Sequence, residues 1–133
     1  DFKKRNSGYI LNVASLAAFL PGPLMATYYS TKAYVLNLTE AIHEELKQEN
    51  SNVYIGALCP GPVDTEFNDV AKVHFSVSSQ TPSEVVDYAL KKMFRNKLVI
   101  IPGFKNRLGL FLTKLLPLKL KLKVCYRLQE SKR

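Results

Sequence analysis

With 133 residues, 47% of them hydrophobic and 23% charged, the chain has enough apolar material for one globular core, and no apolar run reaches the ~18 residues of a membrane span. The N-terminal sequence lacks the apolar core of a signal peptide, so a cytoplasmic location is expected. Residues 104–133 carry nine basic residues and one acidic residue, whereas residues 1–103 carry ten of each, so the net charge of +8 is a local feature and does not predict general binding to nucleic acid.

The first half of the chain places one long helix between two buried strands. Residues 8–14, "GYILNVA", form a short apolar run rich in β-branched and aromatic side chains, typical of a strand buried on both faces. From about residue 28 to residue 47, apolar residues recur at helical spacing among three glutamates, which predicts an amphipathic helix. Residues 53–59, which precede Pro60 and Gly61, predict a second buried strand. This order predicts a right-handed βαβ unit in a parallel sheet, and therefore an α/β fold.

The same order continues towards the C-terminus. Thr81 and Glu84 have the spacing of a capping box, with a proline at the first helical position, so a helix is predicted over about residues 82–95. The sequence "KLVIIPG" predicts a third strand over residues 98–101. Residues 65–80 have no clear period and are predicted to form a loop or a short irregular helix.

Residues 104–133 form a basic amphipathic segment, which the sequence separates from the α/β unit of residues 1–103. Apolar residues form a helical stripe up to Pro117, and leucines alternate with lysines over residues 118–123. The stripe consists of Leu108, Phe111, Leu112, Leu115 and Leu116. Two interpretations remain open. Either the leucines cover a substrate pocket while the lysines face solvent, or the segment makes peripheral contact with an anionic membrane surface.

Polar residues that could take part in a reaction follow the ends of the first two strands. In an open parallel sheet, ligands bind outside the carboxyl ends of the strands. Ser15 follows the first strand and residues 60–65 follow the second, so both belong to this edge. The helix that runs back from the edge starts near Tyr28, and Lys32 lies on the same face as Tyr28 at i+4 and close to Tyr29 at i+3. Helical geometry alone leaves both tyrosines in contention.

A hydroxyl, a phenol and an ammonium group in one place support proton transfer to an oxygen atom. An ammonium group beside a phenol favours the phenolate form, and the hydroxyl of Ser15 can donate to a carbonyl oxygen or accept from an alcohol. His43 lies in a charged helix and His74 in a loop, and neither is expected in a triad or a metal site. Cys59 and Cys125 show neither metal-ligand spacing nor a disulfide framework, and Cys59 is expected to be a small buried hydrophobe. No metal site is predicted.

Together, the serine, the tyrosine with its lysine and the Pro-Gly loop resemble the signature of the short-chain dehydrogenase/reductase family. Tyr28 follows Ser15 by thirteen residues, Lys32 follows four residues later, and "LCPGPVDTEF" completes the pattern within roughly residues 8–67. The interval selects Tyr28 over Tyr29, because the first tyrosine of "YYSTKA" aligns with the acid/base residue of the family. The resemblance implies a doubly wound Rossmann-like fold and an oxidoreductase that moves hydride between NAD or NADP and a carbonyl or alcohol carbon.

The resemblance also implies roles for individual residues. Ser15 would position the substrate carbonyl, Tyr28 would be the general acid or base, and Lys32 would favour the phenolate and bind the nicotinamide ribose. The residues implied in cofactor binding are Asn12, Ala14, Tyr28, Lys32, Pro60, Gly61, Val63 and Thr65. The apolar residues between the serine and the tyrosine suggest a hydrophobic substrate, although they are equally consistent with packing. These are Leu16, Phe19, Leu24 and Met25.

One part of the family pattern is missing from the chain. Such enzymes begin with a glycine-rich loop, T-G-x-x-x-G-x-G, whose backbone approaches the dinucleotide phosphates. The six glycines of this chain are never clustered. The sequence therefore predicts the C-terminal half of a Rossmann-like domain, without the N-terminal βαβ half and inactive on its own. The parent is expected to be a homo-oligomeric enzyme acting on a small-molecule carbonyl or alcohol compound. The alternative is a non-catalytic fragment or pseudoenzyme that acts through the basic C-terminal segment.

Overall fold

The computed structural model describes residues 1–65 and 80–131. The strands are β1 (Gly8–Val13), β2 (Val53–Leu58) and β3 (Val99–Ile100). The α-helices are α1 (Phe2–Arg5), α2 (Ala26–Gln48), α3 (Pro82–Met93), α4 (Phe104–Lys114) and α5 (Leu118–Glu130), and a short 3-10 helix covers Leu16–Phe19. The predicted loop or irregular helix over residues 65–80 falls almost entirely outside the described residues.

The three strands form one parallel sheet in the order β1-β2-β3. β1 pairs with β2 from Gly8 opposite Val53 to Val13 opposite Leu58, and α2 connects the two strands. Because all strands run in the same direction, their carboxyl ends meet at a single edge. The predicted parallel α/β fold is confirmed.

Two helices cover opposite faces of β2, which explains why all six residues of this strand are buried. Tyr54 and Leu58 belong to a core cluster that includes residues of α3, whereas Ala57 and Cys59 pack with Leu36 of α2. Successive side chains of a strand point to opposite faces of the sheet. Because Tyr54 and Leu58 have even numbers and Ala57 and Cys59 have odd numbers, the two pairs lie on opposite faces, and α2 and α3 therefore lie on different sides of the sheet. Strands that are buried on both faces have continuous apolar sequences.

Cys59 continues β2 and has no exposed surface, as expected for a small buried hydrophobe. Burial raises the pKa of its thiol to about 12, and the reason is that a thiolate would lose its hydration in this apolar position. The residue therefore contributes packing rather than a nucleophile.

The helix predicted to start near residue 28 begins slightly earlier, at Ala26, and ends at Gln48. The third strand is shorter than predicted, with only Val99 and Ile100 assigned. α3 ends at Met93, two residues before the predicted end, and Asn96 adopts a positive φ of 54° in the turn that follows. The division of the chain at residue 103 into two units stays a prediction.

The capping box at the start of α3 is present and gives a prediction for stability. Glu84 N–H donates to Thr81 Oγ1 at 3.4 Å, and Thr81 N–H donates to the Glu84 carboxylate at 3.0 Å. We expect Thr81→Ala to lower the free energy of unfolding by about 1 kcal/mol, because a helical N–H loses its acceptor. Ser83→Ala is the control, since Ser83 is exposed in the same helix. Equal losses in the two variants, measured by chemical denaturation, would show that the cap does not stabilise the helix.

Candidate active site

A cavity of about 600 Å³ lies at the carboxyl edge of the sheet. It brings together the sequence-predicted site residues Ala14, Ser15, Tyr28, Lys32, Pro60, Gly61, Val63 and Thr65. Asn12 has a different position. Its Nδ2 donates to Thr39 Oγ1 at 2.9 Å, and Thr39 in turn donates to the Val35 carbonyl at 2.7 Å. The side chain of Asn12 therefore ties β1 to α2.

Ser15 is held at the edge by its backbone neighbours. The N–H of Ala14 donates to the Leu58 carbonyl at 2.8 Å, and the N–H of Leu16 donates to the Pro60 carbonyl at 2.9 Å. These bonds join the loop that follows β1 to the last residue of β2 and to the loop after it. Ser15 Oγ caps the 3-10 helix by accepting from Ala17 N–H at 3.1 Å. Because the oxygen acts as acceptor in that bond, the hydroxyl proton can be donated to a ligand oxygen.

Tyr28 and Lys32 lie one turn apart in the first part of α2. Lys32 Nζ lies 5.8 Å from the centre of the Tyr28 ring. The same ammonium donates to the Val13 carbonyl at 3.2 Å, which anchors it at the end of β1. An ammonium group has three donors, so this bond leaves capacity for a ligand. The tyrosine and the lysine are therefore placed on the cavity wall by both a helix and a strand end.

Tyr29 occupies a packed position beside Tyr28. Its ring fills the space above Gly22, where a Cβ atom would lie only 2.1 Å from the ring. Its hydroxyl accepts a hydrogen bond from Gln129 Nε2. Burial is the main cause that raises the pKa of Tyr29, which disfavours the phenolate that proton transfer requires. The environment of Tyr29 thus favours Tyr28 as the acid/base residue, independently of the spacing from Ser15.

The C-terminal helix α5 forms part of the cavity wall through Cys125, Leu128 and Gln129. The lid interpretation gave the covering role to the leucines between residues 108 and 122, but most of these, including Leu118 and Leu120 at the start of α5, are exposed. The difference follows from helical geometry. Residues 118, 122, 125 and 129 share one face at 3.6-residue spacing, and only its later positions, at residues 125 and 129, are buried. The helical spacing of these residues can be recognised in the sequence, whereas the hydrogen bond from Gln129 to Tyr29 cannot.

Most of the remaining cavity wall is apolar. α3 contributes Val85 and Val86, and the 3-10 helix contributes Leu16 and Ala17. Of the residues suggested to contact a hydrophobic substrate, Leu16 lines the cavity, whereas Phe19 packs against the core cluster around Ala14. A few polar groups in an apolar concave surface are typical of a small-molecule site.

Comparison with known proteins connects the chain to a family. A sequence profile described as short chain dehydrogenase matches residues 1–74. The very-long-chain 3-oxoacyl-CoA reductase of Mus musculus is 33% identical over 69 residues, which cover 52% of this chain and 22% of that protein. The 7beta-hydroxysteroid dehydrogenase of Mediterraneibacter gnavus is 28% identical over 110 residues, which cover 80% of this chain and 41% of that protein.

The same relationship is found among solved structures. A short-chain dehydrogenase from Sphingobium yanoikuyae in complex with NADPH superposes with a TM-score of 0.69 and 32% sequence identity. The superposition covers 77% of this chain and 40% of that one. The chain therefore spans less than half the length of each of these relatives.

Proposed function

The chain belongs to the short-chain dehydrogenase family, and on that basis we propose that it carries the proton-transfer site of an NAD(P)-dependent oxidoreductase. In this proposal Ser15, Tyr28 and Lys32 act together on a carbonyl or alcohol oxygen. The observation that carries it is the presence of their hydroxyl, phenol and ammonium groups in one largely apolar cavity. The position of that cavity, at the carboxyl edge of a parallel sheet, is where such folds bind ligands.

The described residues fit the nicotinamide end of the cofactor. Pro60 and Val63 offer an apolar surface for a flat ring, and Lys32 offers an ammonium group already oriented by the Val13 carbonyl. This group would bind the ribose hydroxyls. Bound NAD(P) would supply a hydride in one direction of the reaction and accept one in the other. The chemical groups of these residues do not distinguish NAD from NADP.

The chain's own residues would handle the proton. In carbonyl reduction, Tyr28 donates its phenolic proton to the carbonyl oxygen while Ser15 donates a hydrogen bond to the same oxygen. In alcohol oxidation, the phenolate of Tyr28 takes the hydroxyl proton. The Lys32 ammonium lies close enough to stabilise that phenolate electrostatically.

We propose a bulky, apolar carbonyl or alcohol compound as the substrate class. The support is the apolar wall contributed by the 3-10 helix, α3 and α5. Two of the similar proteins are named for a hydroxysteroid and for a very-long-chain 3-oxoacyl-CoA, and the steroid skeleton and the long acyl chain are both large apolar groups.

The activity is tested by following NADH or NADPH consumption in the near ultraviolet with a panel of steroid and long-chain ketones and smaller polar ketones. The assay uses the full-length protein that carries this chain. We expect turnover of the bulky apolar compounds.

We expect Ser15→Ala to lower kcat about 10²-fold, because a hydrogen-bond donor to the developing oxyanion is lost. Ser30→Ala, at an exposed position in α2, is the matched control. No turnover with any ketone or alcohol would instead favour a non-catalytic fragment or pseudoenzyme, and equal activity in the two serine variants would remove Ser15 from the site.

A further inference from the structure

Helix α4 has a continuous row of large apolar side chains on its outer side. We call this row the α4 apolar face. It consists of Phe104, Leu108, Phe111 and Leu112 of the helix together with its C-cap residue Leu115, and their exposed fractions range from 46% to 69%. The spacing of these residues, at i, i+4, i+7, i+8 and i+11, places them on one side of the helix. Leu110 lies on the opposite side and is buried against the rest of the protein. The helix is thus anchored through one side and presents a hydrophobic surface on the other.

A contiguous apolar surface of this kind indicates a binding partner, because isolated exposed apolar residues are common but clustered ones are not. Neither α4 nor α5 can be a membrane span. In the part of the chain that the structure describes, no helix combines the length and the hydropathy needed to cross a bilayer. The surface therefore fits a partner that is contacted from one side.

Positive charge borders the α4 apolar face. Lys105 and Lys114 are exposed on α4 and lie to either side of the row, roughly a quarter turn from it. In α5, Lys119 and Lys123 are also exposed. Residues 104–131 contain seven basic residues and a single acidic one. The partner should therefore have an apolar region that these side chains can enter and negative charge around that region.

We propose that the α4 apolar face docks on the surface of a bilayer that contains anionic lipids. The apolar side chains would enter the boundary between headgroups and acyl chains, and the lysines would remain at the level of the phosphates. A second copy of this chain fits less well, because a two-fold contact pairs identical surfaces and would bring the bordering lysines of both copies together. This inference does not depend on the proposed oxidoreductase activity.

The first experiment is co-sedimentation of the full-length protein with vesicles of phosphatidylcholine, with and without phosphatidylserine. We expect binding only with phosphatidylserine, and we expect Phe111→Ser to weaken it about tenfold, because an inserted aromatic side chain is lost. Tyr34→Ser is the matched control, since Tyr34 is exposed on α2 to a similar extent as Phe111. Lys114→Gln should weaken binding about fivefold, as expected for one charge near an anionic surface. Absence of binding, or equal losses in the Phe111 and Tyr34 variants, would overturn the proposal.

A second readout uses the fact that the chain contains no tryptophan. In Phe111→Trp, the emission of the new side chain should shift to the blue with phosphatidylserine vesicles, whereas in Tyr34→Trp it should not. Both substitutions keep a large aromatic group at an exposed position, so folding is preserved. Analytical ultracentrifugation provides the remaining outcome. If Phe111→Ser dissociates an oligomer and leaves vesicle binding unchanged, the α4 apolar face is a contact between copies and the membrane proposal is wrong.

Discussion

Tyr28→Phe is expected to lower kcat by about 10³-fold or more, while the affinity for NADH or NADPH stays within a few-fold of the parent value. The phenylalanine ring fills the same space, but it has no proton to give to the carbonyl oxygen. Cofactor binding should persist because Lys32 keeps its bond to the Val13 carbonyl. Steady-state kinetics with the preferred ketone, together with a direct cofactor titration, separates the two effects.

Tyr29→Phe is the matched control for this prediction. It removes a neighbouring phenol whose hydroxyl is bonded to Gln129, and it leaves the Tyr28 hydroxyl in place. We expect a change in KM, since Tyr29 and Gln129 both line the cavity, with kcat within a few-fold of the parent value. A larger loss of kcat in Tyr29→Phe than in Tyr28→Phe would exchange the roles of the two tyrosines.

Lys32→Met is expected to lower kcat/KM by about 10²- to 10³-fold, because the positive charge positioned beside the reacting oxygen atoms is lost. Unlike Tyr28→Phe, it should also weaken cofactor binding, because the ammonium that would bind the ribose is gone. Stability should change by only about 1 kcal/mol, the typical contribution of one hydrogen bond such as the one to Val13. Kinetics, cofactor titration and thermal unfolding test the three statements.

Lys47→Met controls for the loss of a lysine from the same helix. Lys47 lies near the end of α2, where its Nζ is 3.7 Å from a carboxylate oxygen of Glu44, and both side chains are exposed. It should leave kinetics unchanged. If Lys32→Met keeps normal cofactor affinity and loses activity only where it unfolds, Lys32 supports the structure and does not take part in the reaction.

The sequence predicted those features of the fold that depend on local patterns. Continuous apolar runs identified β1 and β2, and the capping box located the start of α3 at the correct residue. Parallel topology then placed Ser15 and the loop at residues 60–65 at one edge without any three-dimensional information. The cavity contains these residues because strand direction alone determines which loops meet.

The features that were missed depend on contacts between distant side chains. Asn12 lies in β1, and nothing in the neighbouring sequence indicates that its amide will meet Thr39, a fully buried hydroxyl on α2. The short length of β3 is also a tertiary effect, since among the described residues its in-register pairs with β2 are limited to those of Val99 and Ile100. Periodicity describes one element at a time, and it does not specify which polar groups pair between elements.

The bond between Gln129 and Tyr29 joins residues that are 100 positions apart in the chain. In contrast, Ser15, Tyr28 and Lys32 lie within a short segment around the start of α2 and can be ordered by the β1-α2-β2 unit alone. Contacts between distant residues form late, because closing a long loop costs more entropy than closing a short one. During synthesis, the groups proposed for proton transfer would therefore be in place well before the wall that α5 adds. The cavity wall formed by Cys125, Leu128 and Gln129 would be added only when α5 emerges.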